Sequence, residues 1–285
     1  MVIFDAVKDE LTVVTPVRPD GKTTSEKAYG AAKRRLRSVV KALEAPIEHG
    51  MAAPRNGRLA AGEPVSNTTP NEFMTMVDKA KEYIKAGDVF QVVLSQRFSA
   101  PFPLPPFSLY RALRRTNPSP FLFYLDFNEF SLVGSSPEIL VRVRDGEVTI
   151  RPIAGTARRG ETVKEDDHLA ELLLADPKER AEHLMLLDLG RNDVGRVAEI
   201  GSVEETERFI IERYSHVMHI VSNVIGQLDG NHDAIDALMA GFPAGTVSGA
   251  PKVRAMEIID ELEKDKRGPY AGCVGYFSAD GNMDT

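Results

Sequence analysis

The chain has 285 residues, of which 42% are hydrophobic and 27% charged, and its formal net charge at neutral pH is −7. That length holds a substantial core and one or two domains, and acidic and basic residues interspersed with a net acidic balance disfavour a general nucleic-acid surface. No stretch approaches the roughly 20 apolar residues of a membrane span, and the lone Cys273 excludes an internal disulfide framework.

The opening Met1-Val2-Ile3-Phe4-Asp5 lacks the charged n-region and long apolar run of a signal peptide, so the expected location is cytoplasmic. Residues 2–17 alternate loosely and break at Pro16 and Pro19, which reads as one or two strands. Thr23-Thr24-Ser25-Glu26 has capping-box spacing, and Leu36, Val39, Val40 and Leu43 then recur at helical intervals. The basic residues Lys33, Arg34, Arg35 and Arg37 fill the polar positions of that helix. From Pro46 to Pro70 the composition turns to Gly, Pro, Ser, Thr and Asn without periodicity, the signature of a linker. Thr69-Pro70-Asn71-Glu72 is a second capping box with proline at the first helical position, and Phe73, Met76, Val77, Ala80, Tyr83 and Ile84 give the buried stripe of a helix ending at Gly87.

Short β-rich runs follow at 89–98, 121–127, 130–133, 138–143 and 147–150, with Asp145-Gly146 as a hairpin signal. Helices are expected over 165–174 and 177–197, a long strand over 217–225, and helices again over 233–239 and 251–263. The final Asp280-Gly281 reads as a hairpin tip with too few residues after it for an average return strand. Hairpin-linked strands with helices in separate blocks predict an α+β fold with large antiparallel sheets. The expected division is residues 1–62, which end in the linker, and 63–285.

Several residues could carry chemistry. Glu179 and Glu182 project from one helix face, where two carboxylates suit a hard divalent cation or form a solvated acidic surface. His216 and His219 sit at an odd spacing, which on a strand sends them to opposite faces and excludes a metal pair. His219 shares a face with Val217 and Val221, so it reads as a partly buried proton-transfer group or as a satisfied core histidine. Glu138 follows the turn Gly134-Ser135-Ser136-Pro137, as an acid/base or as a turn carboxylate. Gly155-Thr156 and Gly245-Thr246 pair close backbone approach with a hydroxyl, in ligand loops or ordinary turns.

The ordered motifs Gly87-Asp88-Val89-Phe90-Gln91-Val92-Val93-Leu94-Ser95, Gly134-Ser135-Ser136-Pro137-Glu138, Arg151-Pro152-Ile153-Ala154-Gly155-Thr156, Lys178-Glu179-Arg180-Ala181-Glu182-His183, Asp188-Leu189-Gly190-Arg191-Asn192-Asp193, Gly245-Thr246-Val247-Ser248-Gly249-Ala250-Pro251-Lys252 and Val274-Gly275-Tyr276-Phe277 resemble the chorismate-utilising enzymes. The resemblance implies that family's α+β fold of two packed, mainly antiparallel sheets flanked by helices, chorismate as substrate and a Mg2+ ion, with Glu182 as a direct metal ligand and Glu179 as a second, water-mediated one. It further implies Gly155, Thr156, Thr246, Tyr270 and Gln91 at the substrate, Glu138 protonating the departing hydroxyl, and His219 assisting proton transfer as pyruvate leaves. Members that add water carry lysine at the position of Gln91, and members that use a ring nucleophile carry lysine at the position of Ala154. Gln91 and Ala154 therefore point to direct attack by ammonia, giving anthranilate and pyruvate, with ammonia from a glutamine amidotransferase partner.

Other family members carry a longer first domain, and past the position of Thr285 a substrate-binding arginine, a glycine-rich loop and another metal-binding glutamate. On that resemblance the chain reads as a fragment, poorly active alone. Of the family's tryptophan feedback site only Pro120, Phe121 and Leu122 match, with Phe121 where tyrosine is common. Another amine-installing chorismate enzyme and a non-catalytic chain of the same fold stay open as alternatives.

Overall fold

The computed structural model describes residues 1–17, 21–46 and 62–285, and the chain divides into two compact units, Met1–Ala60 and Ala61–Thr285. Most of the expected linker lies outside the described residues.

In the first unit, β1 (Val2–Asp5) and β2 (Glu10–Val13) form an antiparallel hairpin, followed by α1 (Ser25–Glu44). The cap of α1 is Thr24, whose side chain accepts from the Lys27 amide. This is one residue later than the capping-box spacing from Thr23 suggests, so Glu26 falls short of the position from which it would close the box. Arg35 reaches back from α1 to Thr15 Oγ1 and the Pro16 carbonyl, both at 2.9 Å.

The second unit opens with β3 (Val65–Ser66) and α2 (Pro70–Ala86), where the Thr69–Glu72 capping box is complete and Gly87 closes the helix in the left-handed conformation. The next elements are β4 (Gln91–Val92), β5 (Phe98–Ser99), α3 (Pro106–Thr116), β6 (Phe121–Asp126) and β7 (Ser131–Ser136). The run 89–98 is thus not one strand. Val89, Val92 and Leu94 pack against α2 and a later helix instead, and the Ser95 amide N–H donates to Glu263 at 2.7 Å. The chain continues as β8 (Arg142–Arg144), β9 (Glu147–Ile150), β10 (Ile153–Arg158), α4 (Val163–Ala175), α5 (Pro177–Gly195), β11 (Glu204–Arg213), β12 (Val217–Gln227) and α6 (Ala234–Gly241). A 3-10 turn (Gly245–Val247), β13 (Gly249–Ala250), α7 (Lys252–Leu262), β14 (Tyr276–Phe277) and β15 (Met283–Asp284) complete it.

The fold is α+β. Of the two sheets expected, one is a seven-stranded antiparallel sheet ordered β10-β12-β9-β8-β15-β14, with β11 on the other edge of β12; the remaining strands of this unit pair two by two. The hairpin at Asp280-Gly281 closes within the chain. Its two-residue return strand suffices because Met283 pairs with both Phe277 and Val143 and is 1% exposed.

α5 is the helix on which the unit is assembled. Asp176 caps it, accepting from the Lys178 and Glu179 amides, and Pro177 occupies its first position. Leu187 and Val194 are fully buried in the main core with Val141, Val148 and Val224. Two polar contacts fix its register. His183 Nε2 lies 2.7 Å from Ser222 Oγ of β12, in surroundings whose burial lowers the imidazole pKa to about 4. Asp193 receives Lys252 Nζ at 2.7 Å, and the same ammonium donates to the Gly241 carbonyl at 2.7 Å. Burial raises the Asp193 pKa and lowers that of Lys252, the direction expected when desolvation outweighs mutual attraction.

Breaking that pair from one side strands the other charge. Lys252→Met is expected to cost about 3–5 kcal/mol in urea unfolding, and Asp193→Leu added to it is expected to recover most of the loss, because a well-packed apolar replacement for a buried pair is close to neutral.

Candidate functional site

β10 is the backbone on which the candidate residues meet. Ala154 pairs with Ile220 and Thr156 with His219, so Gly155 is an extra residue, a bulge in the β10–β12 ladder. Its φ is +69°, and a Cβ there would lie 3.2 Å from the Ile220 side chain and 3.3 Å from Glu179 Oε2. Only glycine takes this backbone without strain and admits the carboxylate so closely.

The bulge turns the Gly155 carbonyl onto His219 Nδ1 at 3.0 Å, with Thr156 Oγ1 3.1 Å from the same nitrogen. A carbonyl can only accept, so Nδ1 carries the proton and, in the neutral ring, Nε2 holds the free lone pair. His219 is partly buried, as expected, and the Tyr214 ring meets it edge to face at a centroid distance of 5.5 Å. His216 lies just before the strand and bonds Ser215 Oγ at 2.8 Å.

Glu138 reaches the start of β10. The Ile153 amide N–H donates to its carboxylate, and Thr246 Oγ1 donates to Oε2 at 3.1 Å. Desolvation nevertheless dominates and pushes its pKa up to about 7. The residue keeps some exposed surface, but its carboxyl end faces a cavity of only about 30 Å³, lined also by Pro152, Leu186, Gly190 and Gly245. Room for about one water cannot hydrate a carboxylate fully. Tyr214 lies near enough for Glu138 to contribute to raising its hydroxyl pKa to about 12, after burial itself and the hydrogen bond to Glu212. Glu138, Tyr214 and His219 therefore share one neighbourhood.

On α5, Glu179 and Glu182 are both half-buried. Gln91 Nε2 donates to Glu182 Oε1 at 3.1 Å, and Gln91 Oε1 is buried without a hydrogen-bond partner. Glu182 and Gln91 line a cavity of about 970 Å³ with Lys178, Met185, Leu189, Asp193, Arg196 and Lys252. That volume is typical of small-molecule sites. Leu189 and Asp193 also line the Glu138 cavity, so the two are neighbours. Among the described residues no group of three His, Cys, Asp or Glu side chains is gathered to hold a metal. Two carboxylates with an unsatisfied amide oxygen fit an oxygen-loving cation that keeps several waters.

Other candidates lie elsewhere. Tyr270 lines a separate cavity of about 250 Å³ with Asn67, Ser95, Glu263 and Arg267, and the Arg267 guanidinium sits 5.5 Å over its ring. Pro120, Phe121 and Leu122 lead into β6, paired with β7 through Phe121–Ser136 and Leu122–Ser135. Sequence reasoning missed Tyr214, Glu212 and the Asp193–Lys252 pair. The one available signal was Tyr214 itself, five residues before His219 in a segment that alternates poorly.

Because its pKa in the fold lies above its unfolded value of 4.5, Glu138 contributes nothing to the pH dependence of stability below about 4.5, a growing penalty as pH rises toward about 7, and the full penalty above it. Glu138→Gln is therefore expected to stabilise the chain by on the order of 3 kcal/mol at about pH 8, with the gain vanishing by about pH 4.5. Urea unfolding of both proteins across that range checks it.

The family model described as chorismate binding enzyme matches residues 8–285. Anthranilate synthase component 1 of Cereibacter sphaeroides is 59% identical over 284 residues, 99% of this chain and 56% of that protein. The protein of the same name from Aquifex aeolicus is 54% identical, over 100% of this chain and 57% of its own length. The chain thus spans little more than half the length of these relatives. The crystal structure of anthranilate synthase component I from Streptococcus pneumoniae TIGR4 superimposes with a TM-score of 0.87 at 44% identity, covering 99% of this chain and 61% of that one. The menaquinone-specific isochorismate synthase of Escherichia coli shares the fold, with a TM-score of 0.74 at 23% identity over 91% of this chain and 58% of that one. On that family match, those relatives and that structure, the chain belongs to the chorismate binding enzymes.

Proposed function

We propose that the chain carries the catalytic core of an anthranilate synthase component I, a lyase that turns chorismate and ammonia into anthranilate, pyruvate and water on the route to tryptophan. The observation that carries this reading is the side-chain chemistry of two site positions: Ala154 offers no nucleophile on β10, and Gln91, bonded to Glu182, offers no base to activate water. Ammonia is then the attacking group, and a glutamine amidotransferase subunit is its source in the cell.

Glu182 and Glu179 would hold a magnesium ion, with the orphaned Gln91 oxygen beside them; the ion supplies positive charge for a substrate carboxylate. Lys178 and Arg196, lining the same cavity, supply further cationic partners for a dianionic substrate. Glu138, with its pKa raised to about 7, retains its proton in a large share of molecules at neutral pH and can deliver it to the departing hydroxyl as the carbon–nitrogen bond forms. Thr246 and the Ile153 amide keep the resulting carboxylate in place. In the second step His219, its Nδ1–H fixed on the Gly155 carbonyl, presents Nε2 to take the ring proton whose loss aromatises the ring and expels the enolpyruvyl group, which leaves as pyruvate. Gly155 and Thr156 flank that imidazole and are placed to contact the substrate.

Product analysis tests this. With chorismate, ammonium and magnesium the whole protein is expected to release anthranilate and pyruvate in equal amounts, and to use glutamine only when an amidotransferase is added. His219→Ala is expected to slow the elimination about 10²–10⁴-fold, so that the aminated, pyruvyl-bearing intermediate accumulates. Isochorismate or aminodeoxychorismate as the end product contradicts the reading.

A further inference from the structure

His219 stands in a row of side chains on one face of the sheet. Its register partners are Glu212 on β11 and Thr156 on β10. Residues directly opposite in antiparallel strands bring their Cβ atoms to about 4.5–5.5 Å. A free carboxylate at that separation pairs with an imidazole and holds it protonated, which removes it as a base. Glu212 is not free. Its Oε1 lies 2.6 Å from Arg151 Nη2, and its Oε2 accepts from the Tyr214 hydroxyl at 2.7 Å. Arg151 is steadied in turn by Glu207 Oε2 at 2.7 Å.

Tyr214 is itself held at both ends. Its amide N–H donates to the Val217 carbonyl at 2.8 Å, and its own carbonyl accepts from the Arg159 guanidinium. Its ring lies at 65° to the imidazole plane. The other charged groups around this corner have partners of their own or lie to one side. Arg159 and Arg213 both bind Asp166 of α4. Glu138 is held by Thr246, His216 bonds Ser215, and Glu179 of α5 approaches from the Gly155 backbone. Glu212 is the carboxylate that the sheet register sets beside the imidazole.

We propose that Tyr214 is a positioning residue for His219: its hydroxyl, together with Arg151, occupies both oxygens of Glu212 and keeps the imidazole out of a carboxylate pair, while its ring edge fixes the imidazole plane. The catalytic consequence rests on the function proposed above; the electrostatic device does not, and its test needs no turnover.

The test is NMR of the 285-residue chain with ¹⁵N-labelled histidine, the His219 ring signals being assigned by their loss in His219→Gln. Tyr214→Phe keeps the ring and removes the hydroxyl. The pH midpoint of the His219 ring signals is expected to rise by about 1 unit in this variant, with the backbone amide spectrum otherwise preserved. Arg151→Gln, which frees the other oxygen, is expected to move the midpoint the same way. Glu212→Gln added to either is expected to return it to the starting value or below, which a packing defect would not do. Should Tyr214→Phe fail to fold, Arg151→Gln with its Glu212→Gln partner decides the question. An unmoved midpoint in a folded variant overturns the proposal. If the chain shows the shift while the whole protein makes no anthranilate from chorismate, the device stands and the function falls.

Discussion

The site depends on one residue without a side chain. At Gly155 the ladder between β10 and β12 gains a residue, the backbone crosses into the left-handed region, and the carbonyl turns onto His219. Because no Cβ is present, Glu179 of α5 reaches the same point of the backbone from its own helix. The bulge sets Thr156 opposite His219, fixes which imidazole nitrogen carries the proton, and brings Glu179 of the helix to the same point of the backbone. Two residues earlier, the Ile153 amide holds Glu138. Three chemically different groups are thus positioned by four consecutive residues of one strand.

The fold accepts a cost to keep this arrangement. Glu138 is desolvated beside a cavity of about 30 Å³, His183 is fully buried, and Lys252 and Asp193 form a pair that burial works against from both sides. Ionisable groups taken out of water oppose folding unless each finds partners. The partners here sit on different elements: Ser222 of β12 for His183, Lys252 of α7 for Asp193, the end of α6 for Lys252, and the turn before β13 for Glu138. The polar contacts that relieve each buried charge are also the contacts that lock α5, β12 and α7 in register. A purely apolar core would fill the same space without specifying that register as sharply.

Much of this was legible in the sequence where the signal is local. The Thr69–Glu72 box, the Asp145-Gly146 hairpin and the one-face spacing of Glu179 and Glu182 need only neighbouring residues, and all three are present in the structure. Signals that depend on distant partners were weaker. β11, Glu-Glu-Thr-Glu-Arg-Phe-Ile-Ile-Glu-Arg, is an edge strand with register shifts whose charges mostly find partners outside the strand, so its alternation is blurred. β10 is too rich in small residues to read as a strand, because at Gly155 small size serves close approach to a helix. The two-residue strands β4 and β13 carry no periodicity of their own; pairing with each other and long-range packing against α7 set them. The Tyr214–Glu212–Arg151 chain spans a strand end and a loop and follows no spacing rule.

Gly155→Ala tests the central claim most directly. Forcing an L-residue into this backbone costs about 1–2 kcal/mol, which leaves a folded chain in which local effects can be read. The measurement pairs a Mn2+ titration, with manganese standing in for the magnesium proposed at Glu179 and Glu182, with the ¹⁵N tautomer signature of His219. If the bulge organises both groups, the single methyl weakens metal binding and abolishes the Nδ1–H tautomer preference together. A variant that loses stability but keeps the metal affinity and the histidine signature of the unsubstituted chain would contradict the account.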